Sequence, residues 1–557
     1  MKELTQTWPT MRLWILAVFL LLPLRPMLAD DPVEASVRAQ MQARLTEREV
    51  ALSLEDCIKI ALENNLDVQI RRLDPELAHF SLHAAYAPYD PAFSLSGTHS
   101  YQLSPGGLDD QNRAFSGTET EVDTINGGLS GLLPWGTRYS FGANLSDRYG
   151  TSPGALIDFN NFTLNTNVIY DIYTGTPSGF LVSTNYNTIP TRNPFESASA
   201  NVGFFELRQP LLKNFWIDNT RLQIFLNRKN LENSELALRR QIINTITDVE
   251  QAYFNLIYTE ETVKVQEKAL ELAERLVSEN RRRVEVGALA PLDERQAESQ
   301  AAASRADLLA AKANRDTQER VLKSLLSDDY ESWNRTRIRP TGTLMAIPQH
   351  FDLQESWRTG VSMRPDLLQA RIEVEKQTRI VRYQRNQKFP QLDVVGDIGY
   401  LGSDDEFSSA FRQVRRTDNS YYSYGVQFTM PIGNVAARNN LKIAKVTQEQ
   451  LELQLKQLEQ SVLISIENTI ANARTSLERV EATRQARAYA EEALRAEETK
   501  LEKGKSTSFV VLQLQRDLTA ARSAEIRALA DYNIALAQLA ESEGSTLIRR
   551  GIDLKVR

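Results

Sequence analysis

The sequence predicts an α+β protein made mostly of long α-helices, in which β-strands interrupt each of two internal repeats. Three observations favour this architecture. Two distant segments share one pattern, the hydrophobic spacing changes from helical to alternating after a proline in each, and a very long helical pattern follows each set of alternating residues. Because helices and strands occur twice in the same order, we expect two copies of one structural unit.

The repeat is clearest at the start of each half. The segment LSLEDCIKIALENNLDVQI from Leu52 matches FDLQESWRTGVSMRPDLLQA from Phe351, and both continue with a helical pattern as far as Pro88 and Pro390. Proline cannot continue a helix, and it biases the preceding residue toward extended backbone. These prolines therefore predict switches from helix to strand.

Alternating hydrophobic and polar residues follow in both copies, over about 91–209 and about 391–430. The first β-section is much longer, and GGLSGLLPWGTRYSFGANLS within it predicts two strands joined by a turn. We therefore predict an additional hairpin, which either enlarges the sheet or projects from it, and an even number of strands. The alternation is typical of strands with lipid on one side and water on the other, and equally of a soluble β-sandwich.

Long helices are predicted from about Arg221 to Gly287 and from about Asn439 to Gly504. At about 1.5 Å per residue each would extend roughly 100 Å, and glycine is well suited to ending a helix. Shorter helices return from about Pro291 to Leu326 and from about Ser508 to Glu543. Since each long helix has about as many residues as the two shorter helices of its repeat, we predict that the shorter ones stack end to end beside it.

The N-terminus resembles a secretory signal peptide. An apolar run, LWILAVFLLLPL, follows Met11 and Arg12, and a cleavage site is predicted near Ala29. The alternative is a membrane anchor, but the run is shorter than the ~20 residues that a spanning helix needs. The predicted division is a signal peptide over 1–29, a first repeat over 52–328, a linker or equatorial segment over 329–350, a second repeat over 351–543 and a short tail over 544–557.

Composition and motifs exclude several function classes. The net charge of −7 and the lack of a basic cluster argue against a nucleic-acid partner. Cys57 is the only cysteine, so an intrachain disulfide is impossible. The sequence has no nucleophile elbow, no glycine-rich phosphate loop and no cluster of metal ligands, so we predict neither an enzyme nor a cofactor or metal site.

Taken together, these features resemble the TolC-like outer-membrane efflux protein family. The resemblance covers nearly the whole chain after the signal peptide. It depends on the duplicated helix starts, the prolines that end helices and strands, and the turn sequences VEVGALAPLDERQAES and LEKGKSTSFVVLQLQ. It implies a homotrimer in the outer membrane of a Gram-negative bacterium, where strands from three copies close a β-barrel within the lipid and the long helices form a periplasmic α-barrel tunnel.

The resemblance also implies a function. Such a protein is a passive exit duct of a tripartite efflux pump or type I secretion system, with a periplasmic adaptor protein and an inner-membrane pump as partners. A periplasmic coiled-coil adaptor and a structural or adhesin protein are the alternatives. An adaptor would have one hairpin inserted between other domains, and a stalk would not need amphipathic strands within each repeat, so the duplicated order favours the duct.

In the resembled family the glycine turns form the periplasmic tip, where the adaptor docks. The matching residues are Val286, Gly287, Ala288, Lys503, Gly504 and Lys505. Residues just past the tip can close the tunnel mouth, and the matching positions are Asp293, Gln296, Val510 and Gln513. The simpler interpretation is that the glycines only cap helices and the glutamines only lie on a solvated helix face.

The mouth departs from the family pattern. Val510 occupies a position where a carboxylate is often found, and Leu501 and Ser506 replace a tyrosine and an arginine that can tether the closed state. An ion pair from Lys503 or Lys505 to Asp293 is possible, but an exposed pair contributes only roughly 0–1 kcal/mol. We therefore expect a less acidic mouth that is held closed by other residues.

Overall fold

The computed structural model describes residues 49–108, 114–287 and 289–552, so the predicted signal peptide lies outside the described residues. The helices of the first repeat are α1 (Leu54–Asn64), α2 (Leu66–Ala84), α3 (Asn219–Glu285) and α4 (Pro291–Leu326). After α5 (Tyr330–Asn334) come α6 (Leu353–Met363), α7 (Pro365–Asn386), α8 (Phe407–Arg416), α9 (Val435–Glu502), α10 (Ser508–Glu543) and α11 (Thr546–Arg549). None of the described helices is both long enough and apolar enough to cross a membrane.

Six of the strands form one antiparallel sheet in the order β10-β9-β7-β6-β5-β2. These strands are β2 (Ala92–Ser104), β5 (Thr118–Leu132), β6 (Arg138–Tyr170), β7 (Pro177–Pro210), β9 (Gln391–Asp404) and β10 (Ser420–Thr429). The short strands β3 (Gly107–Leu108) and β4 (Ala114–Phe115) pair with each other, and β1 (Glu49–Leu52) pairs in parallel with β8 (Arg337–Pro340).

The additional hairpin predicted in the first β-section is present and joins the sheet. Strand β5 ends at Leu132, the turn contains the predicted Pro-Trp-Gly-Thr sequence, and β6 begins at Arg138. The first repeat therefore contributes four strands and the second two, which is the even number expected.

Strand β6 is longer than either run of alternating residues within it. The runs at residues 139–145 and 162–170 both belong to one strand of 33 residues, which pairs with the 34 residues of β7. The prolines within the two strands are tolerated because, among the described residues, β6 beyond Gly150 pairs only with β7, which leaves outer edges that need no ladder partner. We call this protruding part, residues 151–194, the extended hairpin.

One face of the sheet carries a continuous apolar surface, which we call the apolar belt. Cross-strand register places these side chains on the same face: Phe93, Leu95, Ile125, Leu129, Tyr139, Phe141, Leu145, Val202, Phe205, Leu207, Leu392, Val394, Ile398, Tyr400, Tyr422, Tyr424, Val426 and Phe428. The opposite face is polar, and on it Arg208 contacts both Asp393 (2.7 Å) and Gln427 (2.6 Å). The six-stranded sheet therefore has an apolar face and a polar face, which suit two different environments.

The shorter helices stack as predicted, with one difference. The side-chain amide of Asn65 donates to the carbonyl of Leu325 (3.0 Å), and Arg364 donates to the carbonyl of Ser542 (3.0 Å), so the end of α4 meets α2 and the end of α10 meets α7. The helix before each β-section, predicted to be continuous, is broken at these same two residues, which have extended backbone. Asn65 caps α2 through its side chain, and Pro365 begins α7, since both residue types favour helix starts.

The largest buried core lies where α1, α3 and α4 meet the β1–β8 pair. Its fully buried side chains include Tyr253, Leu256 and Leu322. Tyr253 donates a hydrogen bond to the carbonyl of Leu52 (3.1 Å) and accepts one from the amide of Gly342 (3.0 Å). This core joins the start of the first repeat to the segment that links the two repeats.

Cys57 lies in this core with no exposed surface, and burial, together with the neighbouring Asp56 carboxylate, raises its pKa to about 12. Because the thiolate is the reactive form, we expect the native protein to resist maleimide labelling at pH 8, and to react once it is unfolded. A Val286→Cys variant provides the control, since Val286 is 79% exposed and its cysteine should label within minutes. Rapid labelling of Cys57 in the folded protein would contradict this placement.

Candidate functional site

The first tip joins α3 to α4 through a left-handed residue. Gly287 has φ +78°, its amide donates to the carbonyl of Val284 (2.9 Å), and a Cβ added to it would meet no atom within 4 Å. Only glycine adopts this backbone conformation without strain, which explains its place at the helix end. Val286 is highly exposed beside it, whereas Ala288 lies outside the described residues.

The second tip, between α9 and α10, has the same construction. Gly504 has φ +69° and open space around its Cβ position. The amide of Lys505 donates to the carbonyl of Lys500 (2.8 Å), which completes a glycine cap on α9. Lys503 and Lys505 are exposed, and neither forms an ion pair with Asp293 within the described chain.

A carboxylate also stabilises the turn at the second tip. Glu497 accepts from the ammonium of Lys500 (2.7 Å) and from the hydroxyl of Ser506 (2.5 Å). These two hydrogen bonds, with that of Lys500 the larger influence, lower the pKa of Glu497. Ser506, identified from the sequence as a departure from the family pattern, thus holds the turn to its own helix.

The four predicted mouth residues lie at the starts of two helices, Asp293 and Gln296 in α4 and Val510 and Gln513 in α10. The Asp293 carboxylate accepts from the amide of Ala290 (3.3 Å), so it caps α4. Gln296 and Gln513 are exposed, and Val510 is 37% exposed at the start of α10. Asp293 therefore has a structural role in its own turn, and the other three residues are left on the surface of the chain.

A residue that the sequence did not single out connects the two hairpins at this level. Asn280 on α3 is 1% exposed; its amide nitrogen donates to the carbonyl of Asp293 (3.3 Å), and its oxygen accepts from the hydroxyl of Ser508 (3.2 Å). Ser508, the first residue of α10, is equally buried. We call this contact between α3, α4 and α10 the tip junction.

Further contacts join the same helices away from the tip. The Nε of Arg516 on α10 donates to Gln300 on α4 (2.5 Å), and the guanidinium of Arg527 lies 5.1 Å from the centre of the Tyr258 ring on α3. Between these levels an open groove of about 470 Å³ separates α3 and α4 from α10. The two hairpins are thus held by discrete polar contacts rather than by one continuous apolar seam.

A signal for the tip junction was present in the sequence. Asn280 continues the three- and four-residue spacing of Ala273 and Leu276, which are buried on the same face of α3. A polar residue at a buried position of a packed helix needs a partner, and such positions often set how helices are paired.

The comparisons with known proteins agree with this architecture. Residues 182–327 and 361–545 match the family model described as outer membrane efflux protein. The outer membrane protein TolC of Escherichia coli (strain K12) is 25% identical over 304 residues, which is 54% of this chain and 59% of TolC. The matched region thus spans less than two thirds of that relative.

Solved structures share the fold. A membrane protein from Pseudomonas aeruginosa has a TM-score of 0.61 and 18% identity, over 88% of this chain and 92% of that chain. The Campylobacter jejuni CmeC outer membrane channel has a TM-score of 0.58 and 15% identity, over 88% of this chain and 86% of that chain. The predicted fold class is confirmed. Because the family model matches more than half of the sequence and parts of both repeats, this chain belongs to the outer membrane efflux protein family.

Proposed function

We propose that three copies of the chain form a passive exit duct in the outer membrane of a Gram-negative bacterium. The strands form a barrel in the lipid, and the long helices form a tunnel through the periplasm. The duct has no energy source of its own. An adaptor and an inner-membrane pump open it and deliver the substrate. The observation that supports this most is the apolar belt on one face of a six-stranded sheet whose other face is polar.

The edges of the sheet support assembly into an oligomer. Strands β2 and β10 each pair on one side only within the described chain. Unpaired backbone groups are too costly to expose to lipid, so the sheet needs further strands to close. Further copies of the chain supply those strands, because the edges β2 and β10 then meet around a closed ring.

Single-channel recording on the purified protein tests this function. We expect trimers in detergent that resist dissociation and that, inserted into a planar lipid bilayer, give long-lived ohmic conductance. A soluble monomer, or trimers that form no pores, would refute the duct and favour the adaptor or adhesin alternatives.

We further propose that the two tips dock the adaptor, through Val286, Gly287, Ala288, Lys503, Gly504 and Lys505. The exposed positions and the open space around both glycines support this. Residues near the axis at Asp293, Gln296, Val510 and Gln513 would line the mouth, and opening would be a small outward movement of packed helices.

Replacing Gly287 and Gly504 by asparagine should reduce adaptor cross-linking at least tenfold and leave the trimer intact. Asparagine tolerates the left-handed backbone better than other side chains, so the change adds bulk at the tip with little strain. The readout is photo-cross-linking in cells from a probe at position 286.

A matched control is Gly551→Asn. Gly551 also has positive φ (+62°) and nothing within 4 Å of its Cβ position, but it follows α11, far along the chain from either tip. If the control loses as much cross-linking as the tip variant, or if the tip variant loses none, the tips are not the docking site.

A further inference from the structure

Helix α8, between β9 and β10, lies flat against the face of the sheet that carries the apolar belt. Ala410 and Val414 on its inner side pack against Ala198 and Ala200 of β7. A Cβ added to Gly402 would lie 2.0 Å from the carbonyl oxygen of Ala410, so the helix backbone rests directly on the strand. The acidic residues just before it, Asp404, Asp405 and Glu406, are typical of a solvated loop, yet the ten residues that follow are helical.

The helix lies where the belt ends. From Leu392 to Gly402 the strand rises roughly 33 Å, or roughly 25 Å along the normal of a membrane if it is tilted by about 40°, which is the height of the apolar band of outer-membrane barrels. The next row of cross-strand partners on this face is mostly polar, with Asp404, Asp147, Asp123 and His99 beside Ala198. Since β9 runs away from α7, this boundary is the one remote from the helices, on the outer side of the membrane.

The exposed side of α8 has two kinds of residue. Phe407 and Phe411, one turn apart, are 39% and 46% exposed beside the belt. Arg412, Arg415 and Arg416 are exposed, and their guanidinium groups have no ion-pair partner among the described residues. Two of the nearby acids have other partners, since Asp404 accepts from Gln413 and Glu406 from Ser408.

We propose that α8 is an interfacial helix that binds the phosphate-bearing headgroup of an outer-leaflet lipid. Exposed phenylalanine and arginine side chains on one helix, at the end of the apolar belt, match the apolar and the charged part of such a lipid. Guanidinium groups bind phosphate oxygens in bidentate geometry, and three unpaired ones beside one apolar surface favour an anionic lipid over a zwitterionic one. The inference rests on the sheet lying in the outer membrane.

The test uses trimers purified in non-ionic detergent and native mass spectrometry. The probes are a bisphosphorylated glycolipid, the same glycolipid without phosphates, and inorganic phosphate. We expect at least tenfold tighter binding of the phosphorylated lipid. The variant Arg412→Gln/Arg415→Gln/Arg416→Gln should lose that preference.

The control Arg282→Gln/Arg320→Gln/Arg358→Gln removes the same amount of charge from other exposed arginines and should keep the preference for the phosphorylated glycolipid. Equal binding of both glycolipids, equal loss in the control, or displacement of the lipid by millimolar inorganic phosphate would overturn the proposal. If the glutamine variant forms no trimers, the lysine variant at the same three positions takes its place, with a partial loss expected because lysine lacks the bidentate fork.

The same preparation separates this proposal from the function. Trimers that conduct but show no phosphate preference overturn the lipid site and leave the duct intact. Failure to form trimers or pores overturns the duct itself.

Discussion

Replacing Asn280 by alanine should hold the duct open. The tip junction joins the two hairpins through one buried amide, and its loss removes hydrogen bonds from both Asp293 and Ser508. Only the bond with Ser508 joins the two hairpins, since Asp293 belongs to the same hairpin as Asn280. A buried hydrogen bond contributes about 1 kcal/mol, so the three copies of the proposed trimer lose roughly 3 kcal/mol between hairpins, which shifts the ratio of closed to open states about a hundredfold. We expect higher conductance and a longer open time in planar bilayers. Reversing the polarity of the voltage should not restore the closed state.

The matched control is Asn227→Ala, on the same helix. Within the part of the chain that the structure describes, the Asn227 amide donates only to the carbonyl of Gln223 one turn earlier (2.9 Å), so its removal leaves the contact between hairpins unchanged. Wild-type conductance in the Asn280 variant would show that the tip junction does not restrain the mouth. A similar increase in the Asn227 variant would assign the effect to the helix rather than to the junction.

The second large effect is expected from Arg550→Ala. Glu250 on α3 is 2% exposed, and the Nε of Arg550, just after α11, donates to its carboxylate at 2.6 Å. No other hydrogen-bond partner of this carboxylate is found within the described ranges. Because a buried charge left without a partner is strongly unfavourable, we expect the free energy of unfolding to fall by about 3 kcal/mol. Far-ultraviolet circular dichroism should show a thermal midpoint lower by several degrees.

The neighbouring pair supplies the comparison. Arg549 binds Glu543 (2.8 Å), but that carboxylate also accepts from the hydroxyls of Ser356 (2.6 Å) and Ser545 (2.9 Å). Arg549→Ala therefore leaves a carboxylate that is still hydrogen-bonded. It should lower the free energy of unfolding clearly less than Arg550→Ala does. If both variants melt at the same temperature, the loss does not come from an unpaired buried charge.

The long elements were predictable from the sequence because local rules agree with the packing there. The helix predicted from about Arg221 runs from Asn219 to Glu285, and glycine ends it for a reason of backbone geometry that needs no tertiary contact. The turn at Pro134–Thr137 was found in the same way, since its composition fixes its conformation.

What the sequence did not predict depends on contacts between distant segments. Helix α8 has only ten residues and stays helical because Ala410 and Val414 are buried against β7, a strand of the other repeat. The tip junction joins Asn280 and Ser508, which are 228 positions apart. The sequence indicates that a buried Asn280 needs a partner, but it does not identify that partner. The prolines of β6 and β7 look like strand ends until the free edges of those strands are known.

The extended hairpin has a consequence for how a cell carrying this protein meets its surroundings. Its twenty residues beyond the sheet on β6 reach roughly 65 Å, and at its turn Ile172 and Tyr173 are 94% and 97% exposed. In the proposed orientation this turn stands farther from the lipid than the tip of α8 or the β3–β4 pair. Antibodies and bacteriophages approaching the intact cell would meet it first, and a peptide tag inserted at Thr174 would be displayed there without disturbing the duct.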